Sequence, residues 1–234
     1  MTWDLQASLW DMQQRLAWLR GQADALHSLV SALASVVRQL RAAGDMLFHP
    51  REPDRPALSY ETLWLDLVLD LQDARGSRAV LTRTQRVRFL APDGAVLREL
   101  LWGSGEQLLH YSIRGARRLR VRREGSKRAI LLDPDQRPAR GDELTITSRR
   151  TIRGAFRERE EYCESFLERP TGRLSFTVLF PRRRPPRAAC LVSATTEQVL
   201  RTLHCRYGPD GRAVLRCRLH KPATGVTYSL RWSW

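Results

Sequence analysis

The chain has 234 residues, a mass of 27.0 kDa and a formal charge of +15, with a pI near 11.0. Its 42% hydrophobic and 28% charged residues fit a folded chain and exclude disordered, collagen-like and disulfide-miniprotein classes. No apolar run reaches the roughly 18 residues that span a membrane as a helix.

All but two of the 40 basic residues are arginine, Lys127 and Lys221 being the exceptions, and asparagine is absent. A GC-rich, bacterial genome explains that skew but not the net charge. Such an excess predicts attraction to something anionic: nucleic acid, an acidic protein or a membrane surface. Within residues 1–46, Arg15, Arg20, Arg38 and Arg41 balance Asp4, Asp11, Asp24 and Asp45, so the whole surplus lies beyond.

Residues 1–46 predict a long helix. Leu5, Leu9, Met12, Leu16, Leu19, Ala23, Leu26, Val30, Leu33, Val37 and Leu40 recur in alternating steps of four and three, a heptad seam. Leucine dominates d (Leu5, Leu19, Leu26, Leu33, Leu40) and β-branched residues reach a (Val30, Val37), which leans toward a parallel dimer. Some 40 residues at about 1.5 Å each make a rod of about 60 Å. Leu29, Val36 and Ala34 widen the apolar face, and Trp3, Trp10 and Trp18 lie off the seam. The segment therefore predicts self-association or docking of a protein partner; the same pattern also serves a single helix packed on its own body. Acidic residues this early, and so long a leading region, are unlike a secretory leader, so reduced thiols and a cytoplasmic location are expected for Cys163, Cys190, Cys205 and Cys217.

Residues 47–59, with Pro50, Pro53 and Pro56, read as a linker. From residue 60 to 234 the period becomes two. Leu63, Leu65, Leu67, Leu69 and Leu71 predict a strand with one buried face. Strand-like runs follow at 78–90, 95–102, 108–114, 117–123, 127–132, 143–149, 173–180, 188–193, 198–207, 212–220 and 226–234, separated by turns such as Pro92-Asp93-Gly94 and Gly208-Pro209-Asp210-Gly211. Residues 155–167 read as an edge strand. The fold class is thus mainly β with an N-terminal α-helix: a heptad helix followed by an antiparallel β-sandwich or barrel. The final alternation, Val226 to Trp234, is expected to seal the core.

Walker A, GxGxxG, HExxH, GxSxG and CxxC motifs are absent, and no cofactor or metal is predicted. His204, Cys205, Cys217 and His220 resemble a ligand set. A hairpin that pairs residue 207 with 212, however, places His204 and Cys217 on one face and Cys205 and His220 on the other. Asp66 and Asp70 read as the solvated side of their strand. His49, His110 and Tyr111 have no base–nucleophile spacing around them.

Two basic clusters carry more. Arg118, Arg120 and Arg122 alternate with Leu119 and Val121, which predicts three guanidinium groups on one exposed strand face. Arg182, Arg183 and Arg184 open a stiff loop with Pro185 and Pro186. Both are candidates for binding an anion or a nucleic-acid backbone through paired hydrogen bonds, although no aromatic ladder accompanies them. A solvated charged face accounts for the same residues.

The segment Glu168-Arg169-Pro170-Thr171-Gly172-Arg173-Leu174-Ser175-Phe176, with Phe180-Pro181 and Lys221-Pro222-Ala223-Thr224-Gly225 through Trp234, resembles β-rich accessory modules of bacterial signalling or defence-type multidomain proteins. The resemblance covers about the last third of the chain. It implies a fold and a regulatory or recognition role, with no catalytic residue. The expected function is a non-enzymatic interaction protein; nucleic-acid binding and an enzyme with an unread site are the alternatives.

Overall fold

The structure is a computed structural model that describes residues 59–91, 96–101, 106–124 and 127–234. The heptad segment and its seam residues, Leu5 to Leu40, lie outside the described residues.

The described chain is mainly β. Its strands are β1 (Tyr60–Leu71), β2 (Arg78–Phe89), β3 (Leu97–Leu101), β4 (Glu106–Arg114), β5 (Ala116–Glu124), β6 (Lys127–Pro134) and β7 (Glu143–Arg153). There follow β8 (Glu160–Phe166), β9 (Arg173–Leu179), β10 (Ala188–Ser193), β11 (Gln198–Leu203), β12 (Arg206–Tyr207), β13 (Ala213–His220) and β14 (Thr227–Ser233). Among the described residues no helix is long and apolar enough to cross a membrane.

A seven-stranded sheet runs β12-β13-β9-β1-β2-β7-β4, a four-stranded sheet β11-β10-β14-β8, and a three-stranded sheet β3-β6-β5. Pairing is antiparallel except between β1 and β9, where Leu65 lies beside Leu174 and Asp70 beside Leu179 in parallel. This departs from the expected all-antiparallel arrangement. Strand periodicity carries no direction, and the long chain between β1 and β9 leaves room for a crossover.

Period-two alternation aims the same parity of β2 inward. Ala79 and Leu81 enter one core, and Val87 and Phe89 enter another. In β7, Ile152 joins the first and Ile146 the second. The first core is closed by Cys163 of β8, Leu191 of β10 and Leu230 and Trp232 of β14. The second is closed by Leu97 and Leu101 of β3 and Ile130 and Leu132 of β6. One face of the large sheet therefore carries both smaller sheets.

β1 reaches both cores through a bulge. Its pairing with β2 slips between Thr62 and Trp64, so Leu63 is half-buried while Leu65, Leu67, Leu69 and Leu71 are buried. The unbroken leucine face expected from Leu63 onward is thus corrected: the extra residue resets parity and turns Tyr60 into the second core. Asp66 and Asp70, on the outer face, pair with Arg173 at 3.2 Å and Arg212 at 2.5 Å.

The turn from β1 to β2 is built on Asp73. Its carboxylate accepts N–H bonds from Arg75, Ser77 and Arg78 at 2.8, 3.1 and 2.7 Å, and the Ser77 hydroxyl at 2.9 Å. Gly76 closes it at φ +67°, where a Cβ would stand 1.4 Å from the Phe156 carbonyl oxygen. An edge strand is expected over 155–167; β8, at the edge of its sheet, covers only Glu160–Phe166 of it.

The C-terminus ends in an aromatic cluster. Trp232 meets Phe180 edge-on at 5.6 Å and Trp234 at 6.1 Å, and lies stacked 6.1 Å from Phe156. The Trp234 indole donates to the Glu158 carbonyl oxygen at 2.7 Å, and Arg184 lies over its ring at 3.6 Å.

Two outcomes follow. Trp234→Ala is expected to cost about 3 kcal/mol in urea unfolding, because it empties a packed aromatic site; a change below 1 kcal/mol would show that the terminus does not seal the core. Asp73→Ala is expected to cost about 1–2 kcal/mol at neutral pH. Burial alone would raise the Asp73 carboxyl, but its hydrogen bonds to Ser77, Arg75 and Arg78 hold it below the ordinary value. Its contribution is therefore complete above the unfolded carboxyl's pKa and fades as pH falls through the depressed folded value. Unfolding of both proteins across the acid range checks this, with the gap closing toward low pH.

Candidate functional site

β5 is the most exposed strand of the three-stranded sheet. Gly115, at φ +82°, carries the chain into it from β4; a Cβ there would lie 2.4 Å from the Thr145 carbonyl oxygen. After buried Ala116, every residue from Arg117 to Arg123 is exposed, Leu119 by 49% and Val121 by 41%. One edge of β5 pairs with β6, and among the described residues no strand pairs with the other.

The predicted single face of Arg118, Arg120 and Arg122 is not formed. Pairing with β6 slips between Arg118 and Arg120, so Arg118 opposes Leu132 while Arg120 and Arg122 oppose Leu131 and Ala129. Leu132 is buried in the second core and Leu131 is its outward neighbour, so the bulge at Leu119 puts Arg118 on the opposite face from the other two. Arg118 lies 5.9 Å from the Tyr111 ring centre. Arg117 is held by Asp133 at 2.9 and 2.7 Å. Arg120 and Arg122 project without a partner among the described residues.

The basic loop is also divided. Arg182 and Arg183 are exposed. Arg184 is half-buried over Trp234 and donates to the carbonyl oxygens of Ala74 at 3.3 Å and Glu158 at 3.5 Å. Burial makes its guanidinium easier to deprotonate, against the opposing pull of Glu161 and Asp73. Arg184 is thus a structural clamp, and the loop offers two arginines rather than three.

The cysteine–histidine set disperses. Gly208 and Gly211 shape a longer turn, with Gly208 N–H donating to Arg212 O at 2.9 Å, so Tyr207 pairs with Ala213 and not with residue 212. Cys205 and Cys217 consequently both pack against the first core, while His220 is exposed. All four cysteines are free. Burial pushes the Cys163 thiol up to about 12. Among the described residues no group of three or more His, Cys, Asp or Glu side chains is placed to hold a metal.

Between the two cores runs a polar seam that the sequence reading did not single out. The inward parity of β2 is interrupted by Arg83 and Gln85, and that of β7 by Ser148 and Arg150. Glu99 of β3, 2% exposed and set between buried Leu97 and Leu101, reaches across to Arg150. Arg150 Nη1 donates to Glu99 Oε1 at 2.7 Å, and the Tyr111 hydroxyl donates to Oε2 at 3.2 Å. Burial, with the Glu99 charge adding to it, raises the Tyr111 phenol well above its ordinary value. Burial also weakens the hold of Arg150 on its proton; Glu99 opposes that and nearby Arg83 reinforces it.

A cavity of about 50 Å³ opens along this seam, lined by Arg83, Gln85, Arg98, Glu99 and Arg150, with Glu164–Arg169 on its other side. Arg98 is paired with Glu124 and Glu168, and Arg169 lies 4.8 Å above the Tyr60 ring. These polar residues stand in the inward phase of their strands, within stretches that are themselves largely polar.

No family model matches the chain, and no curated protein matches it in sequence. Among solved structures, aminopeptidase A of Legionella pneumophila, in complex with aspartic acid, superposes over 77% of this chain at 12% identity with a TM-score of 0.46. A provisionally assigned protease of Parabacteroides distasonis covers 76% at 8% identity and 0.48. The chain spans 22% and 41% of those proteins. Neither likeness assigns a function.

Leaving one member of the seam pair alone is costly in a buried setting. Glu99→Leu is expected to destabilise by about 3–5 kcal/mol, and Glu99→Leu with Arg150→Met by much less. Denaturant unfolding of the singles and the double measures the coupling; additive losses would show that the two charges do not depend on each other.

Proposed function

We propose that this chain is a non-enzymatic interaction protein. Its heptad segment, residues 1–46, associates with a second copy or with a partner helix. Its β5 edge adds an extended acidic segment of a partner as a further strand of the three-stranded sheet. The observation that carries the reading is the state of β5 among the described residues: unpaired along one edge, exposed on both faces, with Arg120 and Arg122 projecting and Leu119 and Val121 exposed. A free edge supplies backbone donors and acceptors in register, and alternate side chains supply selectivity. Arginine favours carboxylates through paired hydrogen bonds. A nucleic-acid backbone is the weaker fit, because the bulge at Leu119 splits the arginines between two faces.

A fluorescent peptide of alternating glutamate and valine is the probe. It is expected to bind, to weaken as salt rises, and to lose at least tenfold in affinity with Arg120→Glu/Arg122→Glu. Methylating alternate backbone nitrogens of the peptide should abolish binding. Affinity that survives N-methylation would refute strand addition. For the other half, light scattering of the full chain should give more than a monomer's mass and fall when residues 1–46 are deleted; an unchanged mass would remove the assembly role.

A further inference from the structure

We infer that the seam cavity is a binding site for one small oxyanion, of the phosphate or carboxylate class, held by Arg83 and Arg150. The site is separate from the β5 edge and does not rest on the reading given to it.

The case begins with charge. Among the described residues, each cation lining the cavity except one has its charge or its face engaged. Arg98 is shared by Glu124 and Glu168, Arg150 faces Glu99, and Arg169 covers the Tyr60 ring. Among the described residues Arg83 meets no carboxylate; its hydrogen bond runs from Nη2 to the neutral Gln85 Oε1 at 2.8 Å. It sits beside a second guanidinium, close enough that its charge weakens the proton affinity of Arg150. Arg150 is therefore paired with Glu99, the one fully buried carboxylate of the lining, while Arg83 is not.

Donor capacity points the same way. Of the Arg150 nitrogens, Nη1 alone has a partner, and that side chain is 8% exposed. The Nε atoms of both Arg83 and Arg150 are buried without an acceptor. A guanidinium left with unused N–H groups in a cavity has the fork geometry that takes two oxygens of one anion. The Gln85 amide, 5% exposed, stands beside the pair as a neutral neighbour.

Size limits the ligand. A void of about 50 Å³ is of a size for one compact group such as a phosphate or a carboxylate. Its half-buried rim, Glu164, Phe166, Glu168 and Arg169, gives access from solvent.

Isothermal titration of the full-length chain with inorganic phosphate, and separately with acetate, at fixed ionic strength set by chloride, tests this. Saturable binding of one equivalent is expected for at least one of them; the tighter ion tells whether the site serves phosphoryl or carboxyl groups. Arg83→Gln should weaken it at least tenfold, and Arg83→Lys, which keeps the charge but loses the fork, by less. Arg120→Glu/Arg122→Glu should leave it unchanged. A cavity holding water only, seen as no saturable heat with either ion, would overturn the proposal. So would binding that survives Arg83→Gln, or that is lost with the β5 substitutions. Thermal unfolding with and without the ion gives a second readout: the midpoint should rise in the parent and in Arg83→Lys, and its failure to rise in the parent counts against the site.

Discussion

The Glu99–Arg150 ion pair is the constraint around which the β body is organised. It joins β3 of the small sheet to β7 of the large one at 2.7 Å, with both side chains almost wholly removed from water. Apolar residues on either side would pack in many alignments, since burial has no direction. A buried pair of opposite charges has one acceptable alignment, because any slip strands a charge in a poorly polarisable surrounding. The pair also divides the inward face of the large sheet. Apolar residues gather on each side of it, and two cores result where a uniform alternation of leucines would have made one.

Much of this architecture was legible in sequence. Strand positions followed from alternation and turn chemistry, and β10 occupies the expected 188–193. Strand faces were less legible, and the reason is specific. A bulge adds one residue without any change in composition, so Leu63 and Leu119 look like members of a regular alternation until pairing partners are known. The parallel contact of β1 with β9 is hidden for a related cause: a strand's pattern reads the same in both directions. The seam was missed because Arg83, Gln85, Ser148 and Arg150 belong to otherwise polar stretches, where an inward arginine is indistinguishable from an outward one.

The arginine content sorts into three physical situations. Some guanidinium groups are fasteners, as Arg212 is to Asp70 or Arg231 to Glu197. Arg184 covers an indole and ties two loops through their carbonyls. Arg120 and Arg122 remain in water. Abundance alone does not produce this partition, which is set by where the folded chain places carboxylates. Few of the 40 basic residues are therefore shown exposed and unpaired among the described residues, and total charge is a poor guide to which ones are.

The parallel neighbour of β1 has a kinetic meaning. Leu65 and Leu174 are adjacent in space but distant along the chain. During synthesis the β1–β2 hairpin can form early, yet one side of β1 waits until residues 173–179 have left the ribosome. Contacts of such high sequence separation slow folding and prolong the life of open strand edges. Until then the leucine-rich strand keeps one edge unpaired with β9, and the delay is fixed by topology rather than by stability.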